Sequence, residues 1–216
     1  MLSDSGHEGN VSRSTPDAGN PIIRAMNTEL RLRHDVVKLV NPGGVGIELG
    51  VAEGVFAERA LRTSSLSFLY GVDMYAGDRC HDVDQYRRAL ARLMPFRTRH
   101  ALVRMRFDEA LELFDDEHFD FIYVDGYAHT GEEEGRTLEQ WFPKLKPGGI
   151  FAGDDYSGHW PKVVEAVDRF AAARGLVLNI IDCAEPGTVW SEYPTWWTRK
   201  PAASAGTRPE FESNGS

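Results

Sequence analysis

Acidic residues stand at the ends of several predicted strands of this chain, where α/β proteins commonly bind their ligands. Glu48, Asp73 and Asp125 each close an apolar run, and the pair Asp154 and Asp155 closes another. Carboxylates accept hydrogen bonds from ammonium and hydroxyl groups, so they suit a cationic or hydroxyl-bearing ligand. Because the carboxyl ends of parallel strands share one edge of a sheet, these side chains are predicted to gather there.

The turn after the first of these strands has the composition of a ligand-binding turn. Residues 45–54 read VGIELGVAEG, and Gly50 and Gly54 can take positive φ and let the backbone approach a bound group closely. A helix predicted at residues 55–62 would direct its first amide donors towards that group. The spacing is E-x-G-x-x-x-G, whereas a dinucleotide site usually shows G-x-G-x-x-G.

The charge around this turn indicates what it would bind. Glu48 and Glu53 surround it with negative charge, which disfavours a phosphate and favours an ammonium or a ribose hydroxyl. A positively charged amino-acid nucleoside such as S-adenosylmethionine meets that requirement. An ordinary strand-to-helix turn has a similar composition, so the segment by itself leaves both interpretations open.

Composition excludes several classes of function. The chain has 216 residues, of which 42% are apolar and 26% charged, as expected of one domain with a full core. A net charge of −9 argues against nucleic acid as a partner. No apolar run approaches the length of a membrane span. Cys80 and Cys183 lack metal-site spacing and are predicted to be reduced thiols of a cytoplasmic protein.

Strand and helix signals alternate along the chain, which predicts a mostly parallel sheet with helices on both faces. The predicted strands lie near residues 45–49, 66–72, 101–105, 119–124, 150–153, 176–181 and 196–198. A long amphipathic helix is predicted at 22–40 and further helices at 55–62 and 82–94. One domain is expected over 21–200, between polar segments at 1–20 and 201–216 that are predicted to be disordered.

The segments IELGVAEGVFA, YGVDMY, FDFIYVDGYAH, LKPGGIFAGDDY and VVEAVDRFAA together resemble class I S-adenosylmethionine-dependent methyltransferases over residues 45–200. Within that class, the DG…H and GDDY segments resemble small metal-dependent O-methyltransferases, namely the macrocin and cephalosporin-hydroxylase types and, more distantly, catechol O-methyltransferase. The resemblance implies a Rossmann-like, seven-stranded, mostly parallel sheet whose last strand is antiparallel. It also implies that the helix at 22–40 acts as a lid.

The resemblance implies a set of cofactor contacts, namely Glu48, Gly50, Gly54, Asp73, Met74, Phe107 and Asp125. Glu48 and the two glycines would line the methionine end of the cofactor. Asp73 would accept hydrogen bonds from both ribose hydroxyls, and Met74 and Phe107 would border the adenine. The plainer interpretation of Asp73 is that it caps a turn.

The resemblance also implies a divalent metal site on Asp125, Asp154 and Asp155. Hard oxygen ligands of this kind suit Mg²⁺, and crowded carboxylates without a cation would repel one another. Turn chemistry at Asp125 and a helix-capping loop pair at Asp154 and Asp155 are the plainer interpretations.

The resemblance places a general base close after the first metal-binding aspartate. His129 lies four residues after Asp125, whereas many relatives have their histidine three residues on. His159, just past the acidic pair, is a second candidate, and Asp125 itself is a third. A surface position at the start of a helix is the plainer interpretation of His129.

The expected activity is Mg²⁺-dependent methylation of a small-molecule hydroxyl, on a sugar or a phenol such as occurs in secondary metabolism. Aromatic side chains are predicted either to wall a ring-shaped acceptor or to pack in the core or a dimer contact: Trp160, Tyr193, Trp196 and Trp197. A metal-independent methyltransferase for N, O or carboxylate acceptors and a non-catalytic nucleotide-binding domain are the alternatives. No nucleic acid or membrane partner is expected, and relatives are often homodimers.

Overall fold

The computed structural model of the protein describes residues 24–26, 30–77, 81–126, 133–182 and 193–202. Within these residues eight strands form one sheet. The strands are β1 (Arg24–Met26), β2 (Val45–Leu49), β3 (Phe68–Asp73), β4 (His100–Arg104), β5 (Phe119–Val124), β6 (Leu145–Gly153), β7 (Leu178–Ile181) and β8 (Thr195–Arg199). Their order across the sheet is β1-β7-β8-β6-β5-β2-β3-β4.

The predicted fold class is confirmed. The strands β2 to β6 run parallel, and β8 is antiparallel to both of its neighbours, β6 and β7. The seven predicted strands are all present, and the short β1 adds a parallel strand beyond β7. The strand order reverses at β2, so the crevice between β2 and β5 is the topological switch point where sheets of this kind bind ligands.

Five α-helices connect the strands in the described residues: α1 (Val55–Thr63), α2 (Val83–Leu93), α3 (Phe107–Ala110), α4 (Arg136–Trp141) and α5 (Pro161–Ala173). Local chemistry sets where they begin. The Asp82 side chain accepts hydrogen bonds from the amides of Asp84 and Gln85 and caps α2. Pro161 begins α5, where its missing amide hydrogen leaves no helix bond unmade.

The central strand β5 is buried on both faces, as a parallel sheet covered by two helix layers requires. Ile122 and Val124 belong to the apolar cluster on one face of the sheet. Phe121 and Tyr123 belong to the cluster on the other face, and Tyr123 stacks on Phe56 of α1 with ring centroids 3.9 Å apart. This packing holds the carboxyl end of β5 rigidly beside that of β2.

The predicted helix at residues 22–40 is wrong. Its described residues form β1 and a 3₁₀ helix, Arg33–Leu39. The Asp35 carboxylate accepts hydrogen bonds from the amides of Arg31 and Leu32, at 2.9 and 2.8 Å. It therefore caps the amino-terminal end of the 3₁₀ helix, which begins at Arg33. Val36 and Val37 are fully buried against α1, so this stretch is part of the core and no helical lid is formed by its described residues.

Several predicted segments lie outside the described residues. They are the polar segment 1–20, most of the segment 201–216, and Cys80, Cys183 and His129. None of the helices in the described part of the chain combines the length and apolar character that a membrane crossing requires.

Candidate active site

The acidic residues gather at the carboxyl edge of the sheet, as predicted. Glu48 is the penultimate residue of β2 and Asp73 is the last residue of β3. Asp125 directly follows β5, and Asp154 and Asp155 directly follow β6. Since these four strands are parallel neighbours, their ends place all of these carboxylates around the switch point between β2 and β5.

The glycine turn crosses this edge at a distance that only glycine allows. Gly50 has φ +99°, and a Cβ on it would lie 2.1 Å from the carbonyl oxygen of Asp125. Gly54, with φ +75°, begins α1. Phe107 covers the neighbouring strand end, because a Cβ on Gly126 would lie 2.3 Å from its Cζ.

Asp73 holds the turn in place. Its Oδ2 accepts hydrogen bonds from the amides of Val51 and Ala52, at 3.0 and 2.9 Å, and its Oδ1 accepts one from Tyr75 at 3.1 Å. Burial alone would raise the pKa of this carboxyl, but His81 and the backbone amides together lower it below its usual range. Asp73 therefore stays ionised and does cap the turn, and a carboxylate with about four acceptor positions can also receive a ligand hydroxyl.

Glu48 is the acid of this edge that the protein leaves unsatisfied. Its side chain is 1% exposed, and within the described residues Oε2 has no hydrogen-bond partner. Burial raises the pKa of Glu48 well above its usual range, the nearby Asp125 and Asp73 raise it further, and Arg33 opposes them. The ionised form of a carboxyl buried in this way becomes favourable only when a cationic donor forms a hydrogen bond with it.

Arg33 was not anticipated from the sequence, and it lies in the middle of the acidic cluster. Its Nη1 donates hydrogen bonds to Oδ2 of Asp125 at 2.9 Å and to Oδ2 of Asp154 at 2.7 Å. Thr195, the first residue of β8, donates to Oδ1 of Asp154 at 3.0 Å. The guanidinium also lies 5.5 Å from the ring centroid of Phe56. Nothing in the sequence singled it out, because Arg31, Asp35 and Lys38 are also charged within residues 30–40.

The predicted Mg²⁺ site on Asp125, Asp154 and Asp155 is not formed by the described residues. No group of three or more acidic, histidine or cysteine side chains among them is arranged to hold a metal ion. The physical reason is that Arg33 already supplies the positive charge between two of the three expected ligands. Burial raises the pKa of Asp154, and Arg33 and Thr195 offset this only in part.

The two exposed parts of the predicted site lie beside the cluster. His159 is exposed, and its ring centroid lies 5.5 Å from that of Tyr193, which in turn contacts Trp160 edge-on. Met74 is 42% exposed just after β3, so it is available to a ligand.

The remaining tryptophans of the predicted aromatic wall are core residues. Trp196 packs its ring on Gly153, where an added Cβ would lie 2.7 Å from the ring, and it contacts Phe151. Trp197 belongs to the apolar cluster on the other face of the sheet. The plainer interpretation, core packing, is therefore confirmed for both.

Residues 47–156, in the middle of the chain, match the sequence profile of the family described as "Methyltransferase domain". The chain belongs to this methyltransferase family. The matched region begins in β2 and ends just after Asp155, so it contains the glycine turn and all five acids of the edge. Arg33 lies outside the matched region.

Solved structures share the fold of this methyltransferase. Spermidine synthase from Thermotoga maritima superimposes with a TM-score of 0.61 at 15% identity, over 80% of this chain and 59% of that one. An O-methyltransferase from Bacillus cereus in complex with SAH gives 0.55 at 14% identity, over 77% of each chain. A SAM-dependent O-methyltransferase from Thermotoga maritima gives 0.54 at 14% identity, over 76% of this chain and 62% of that one.

The chain thus spans about three fifths of the spermidine synthase that it resembles. No protein with curated annotation matches it in sequence. Family and fold together make it a methyltransferase with a Rossmann-like fold.

The burial of Glu48 predicts a pH-dependent stability. Because the folded-state pKa is raised above the unfolded value of about 4.3, bound proton stabilises the fold at low pH, and this contribution is lost as pH rises towards the folded-state pKa. Glu48→Gln removes that loss. Between the unfolded-state pKa and the folded-state pKa, the free energy of unfolding of Glu48→Gln should rise relative to that of the wild type by up to about 1.4 kcal/mol for each pH unit.

Urea denaturation of both proteins over a pH series measures this difference. Glu112→Gln, at an exposed position, is the matched control and should follow the wild type. Parallel pH profiles for Glu48→Gln and wild type would show that Glu48 is not held neutral in the fold.

Proposed function

We propose that this methyltransferase transfers the methyl group of S-adenosylmethionine to a hydroxyl of a small molecule, and that it does so without a bound divalent metal. The observation that carries the proposal is the buried Glu48 carboxylate beside the Gly50 turn, at the switch point of the sheet, whose Oε2 has no hydrogen-bond partner among the described residues. The acceptor we propose is a sugar or phenol hydroxyl, since a net charge of −9 disfavours a polyanionic acceptor.

The described residues fit the cofactor at both of its polar ends. The ammonium of its amino-acid part would supply the cationic donor that Oε2 of Glu48 lacks. The ribose hydroxyls would meet Asp73, which is ionised and held by backbone amides at the end of β3. Gly50 permits a close approach to the turn, and the exposed Met74 and the ring of Phe107 would flank the adenine.

When bound, S-adenosylmethionine supplies a methyl group on a positively charged sulfur, which an acceptor oxygen displaces as the carbon–sulfur bonding pair passes to sulfur. The protein must therefore position the acceptor hydroxyl and take up its proton. Asp125 is suited to this because its side chain is 20% exposed, whereas that of Asp154 is 3% exposed. Arg33 and the end of β5 hold its carboxylate in one position.

His159 is the second candidate for the proton acceptor. It is exposed and lies next to Tyr193 at the same edge of the sheet, but no described contact joins it to the acidic cluster. We therefore assign it to the wall of the acceptor pocket, together with Tyr193 and Trp160. His129 lies outside the described residues and is not used in the proposal.

Cofactor binding is tested by calorimetric titration with S-adenosylhomocysteine (SAH), the demethylated form of the cofactor. Asp73→Asn should raise the dissociation constant about 10-fold or more, because it removes charge-assisted hydrogen bonds to the ribose. The matched control is Asp84→Asn, an exposed acid in the first turn of α2. Folded wild-type protein that fails to bind SAH would contradict the proposed function.

Proton transfer is tested by methyl-transfer assays with labelled S-adenosylmethionine over a panel of phenols and sugars. Asp125→Asn should lower kcat by about 100-fold, the usual contribution of a positioned base, and should change affinity for SAH by a much smaller factor. His159→Gln should retain most of the activity. The reverse order, with His159→Gln inactive and Asp125→Asn active, would move the role of base to His159.

A further inference from the structure

A single arginine from the amino-terminal part of the chain binds two carboxylates that lie far away in sequence. Arg33 precedes Asp125 by 92 residues and Asp154 by 121. One nitrogen, Nη1, contacts both, at 2.9 and 2.7 Å, and so occupies the space between their Oδ2 atoms. A metal ion bridging the same two oxygens would have to lie in that space.

We propose that Arg33 is a built-in cation that takes the place of a divalent metal in this active site, and that it positions Asp125 by tying it to Asp154. The catalytic consequence rests on the proposed function, whereas the exclusion of metal rests on the contacts of Arg33 alone. Arg33 is a positioning residue, since it acts on the acceptor through Asp125.

The chemistry of a guanidinium suits this role. It cannot lose its proton in a protein, so its charge is permanent, as that of a metal ion would be. It brings one positive charge where Mg²⁺ brings two, and so leaves the edge more negative than a metal would. That residual negative charge favours a cationic cofactor near Glu48 and Asp125.

The protein holds Arg33 firmly in this position. The side chain of Arg33 is 8% exposed and lies close to the ring of Phe56 on α1. Its backbone begins a 3₁₀ helix that Asp35 caps, and the following residues Val36 and Val37 are buried. Withdrawal of the guanidinium to admit a metal would therefore break both of its ion pairs and its contact with Phe56.

The partners of Arg33 are held as firmly as Arg33 itself. Asp154 receives a second hydrogen bond from Thr195, which also lies 3.4 Å from the hydroxyl of Tyr123. The network therefore ties together β5, β6, β8 and the amino-terminal segment at one point. Removing the guanidinium leaves two carboxylates facing each other, which costs far more than the loss of an exposed ion pair.

Thermal unfolding and Mn²⁺ binding by electron paramagnetic resonance test the proposal on the intact chain. The melting temperature of the wild type should be the same in EDTA and in Mg²⁺, and Mn²⁺ binding should not depend on Asp154. Arg33→Met should lower the melting temperature by about 10 °C, because a buried charge pair loses one partner. Arg62→Met, at an exposed pair with Glu58, is the matched control and should change little.

Two further variants separate the charge of Arg33 from its packing. Adding Asp154→Asn to Arg33→Met should restore part of the lost melting temperature, since the uncompensated charge is then removed as well. Arg33→Lys should recover part of the kcat that Arg33→Met loses, with little change in KM, because it restores a cation beside Asp125. If neither variant recovers anything, Arg33 acts by packing only and the proposal is wrong.

Wild-type binding of one Mn²⁺ that Asp154→Asn abolishes, or activity lost in EDTA and regained with Mg²⁺, would also overturn it. The Mn²⁺-binding and melting outcomes are independent of the cofactor. If SAH failed to bind while the metal and melting results came out as expected, the proposed function would fall and the role of Arg33 as a built-in cation would stand.

Discussion

Repulsion among carboxylates is the constraint on which this site depends. A parallel sheet brings its strand ends to one edge, and here those ends carry acids, so each buried charge must be balanced or neutralised. The protein balances or neutralises these charges in three different ways at neighbouring positions. Backbone amides surround Asp73, a guanidinium bridges Asp125 and Asp154, and burial favours the protonated form of Glu48. The geometry of the turn, the strand ends and the amino-terminal segment follows from these three arrangements.

The burial of Glu48 is the arrangement that bears most directly on ligand binding. Protonation of Glu48 removes its negative charge but leaves its buried Oε2 without a hydrogen-bond partner among the described residues. A cationic ligand at the switch point would donate to this oxygen, as the guanidinium of Arg33 does to the neighbouring acids. Binding and folding thus make opposite demands on Glu48, which is common where a site stores unfavourable electrostatics for its ligand.

Most of the fold and half of the site could be predicted from the sequence, because their signals are local. Apolar runs ending in Glu48, Asp73 and Asp125, with helices between them, require a parallel sheet whose acids converge, and they do. Arg33 could not be predicted, because no local pattern pairs it with acids 92 and 121 residues away. The apolar spacing around it indicated one long helix, but a short 3₁₀ helix that begins at Arg33 and is capped by Asp35 is found there instead. The position of Arg33 between Asp125 and Asp154 was missed for the same reason: converging acids require a cation, and their spacing does not say whether the chain itself supplies one.

The most direct test is an anomalous diffraction map, recorded at the manganese absorption edge, from a crystal of the protein grown with SAH and MnCl₂. We expect no manganese peak between Asp125 and Asp154, with the guanidinium of Arg33 in that position. A manganese ion bonded to Asp154, with Arg33 displaced from the cluster, would contradict it.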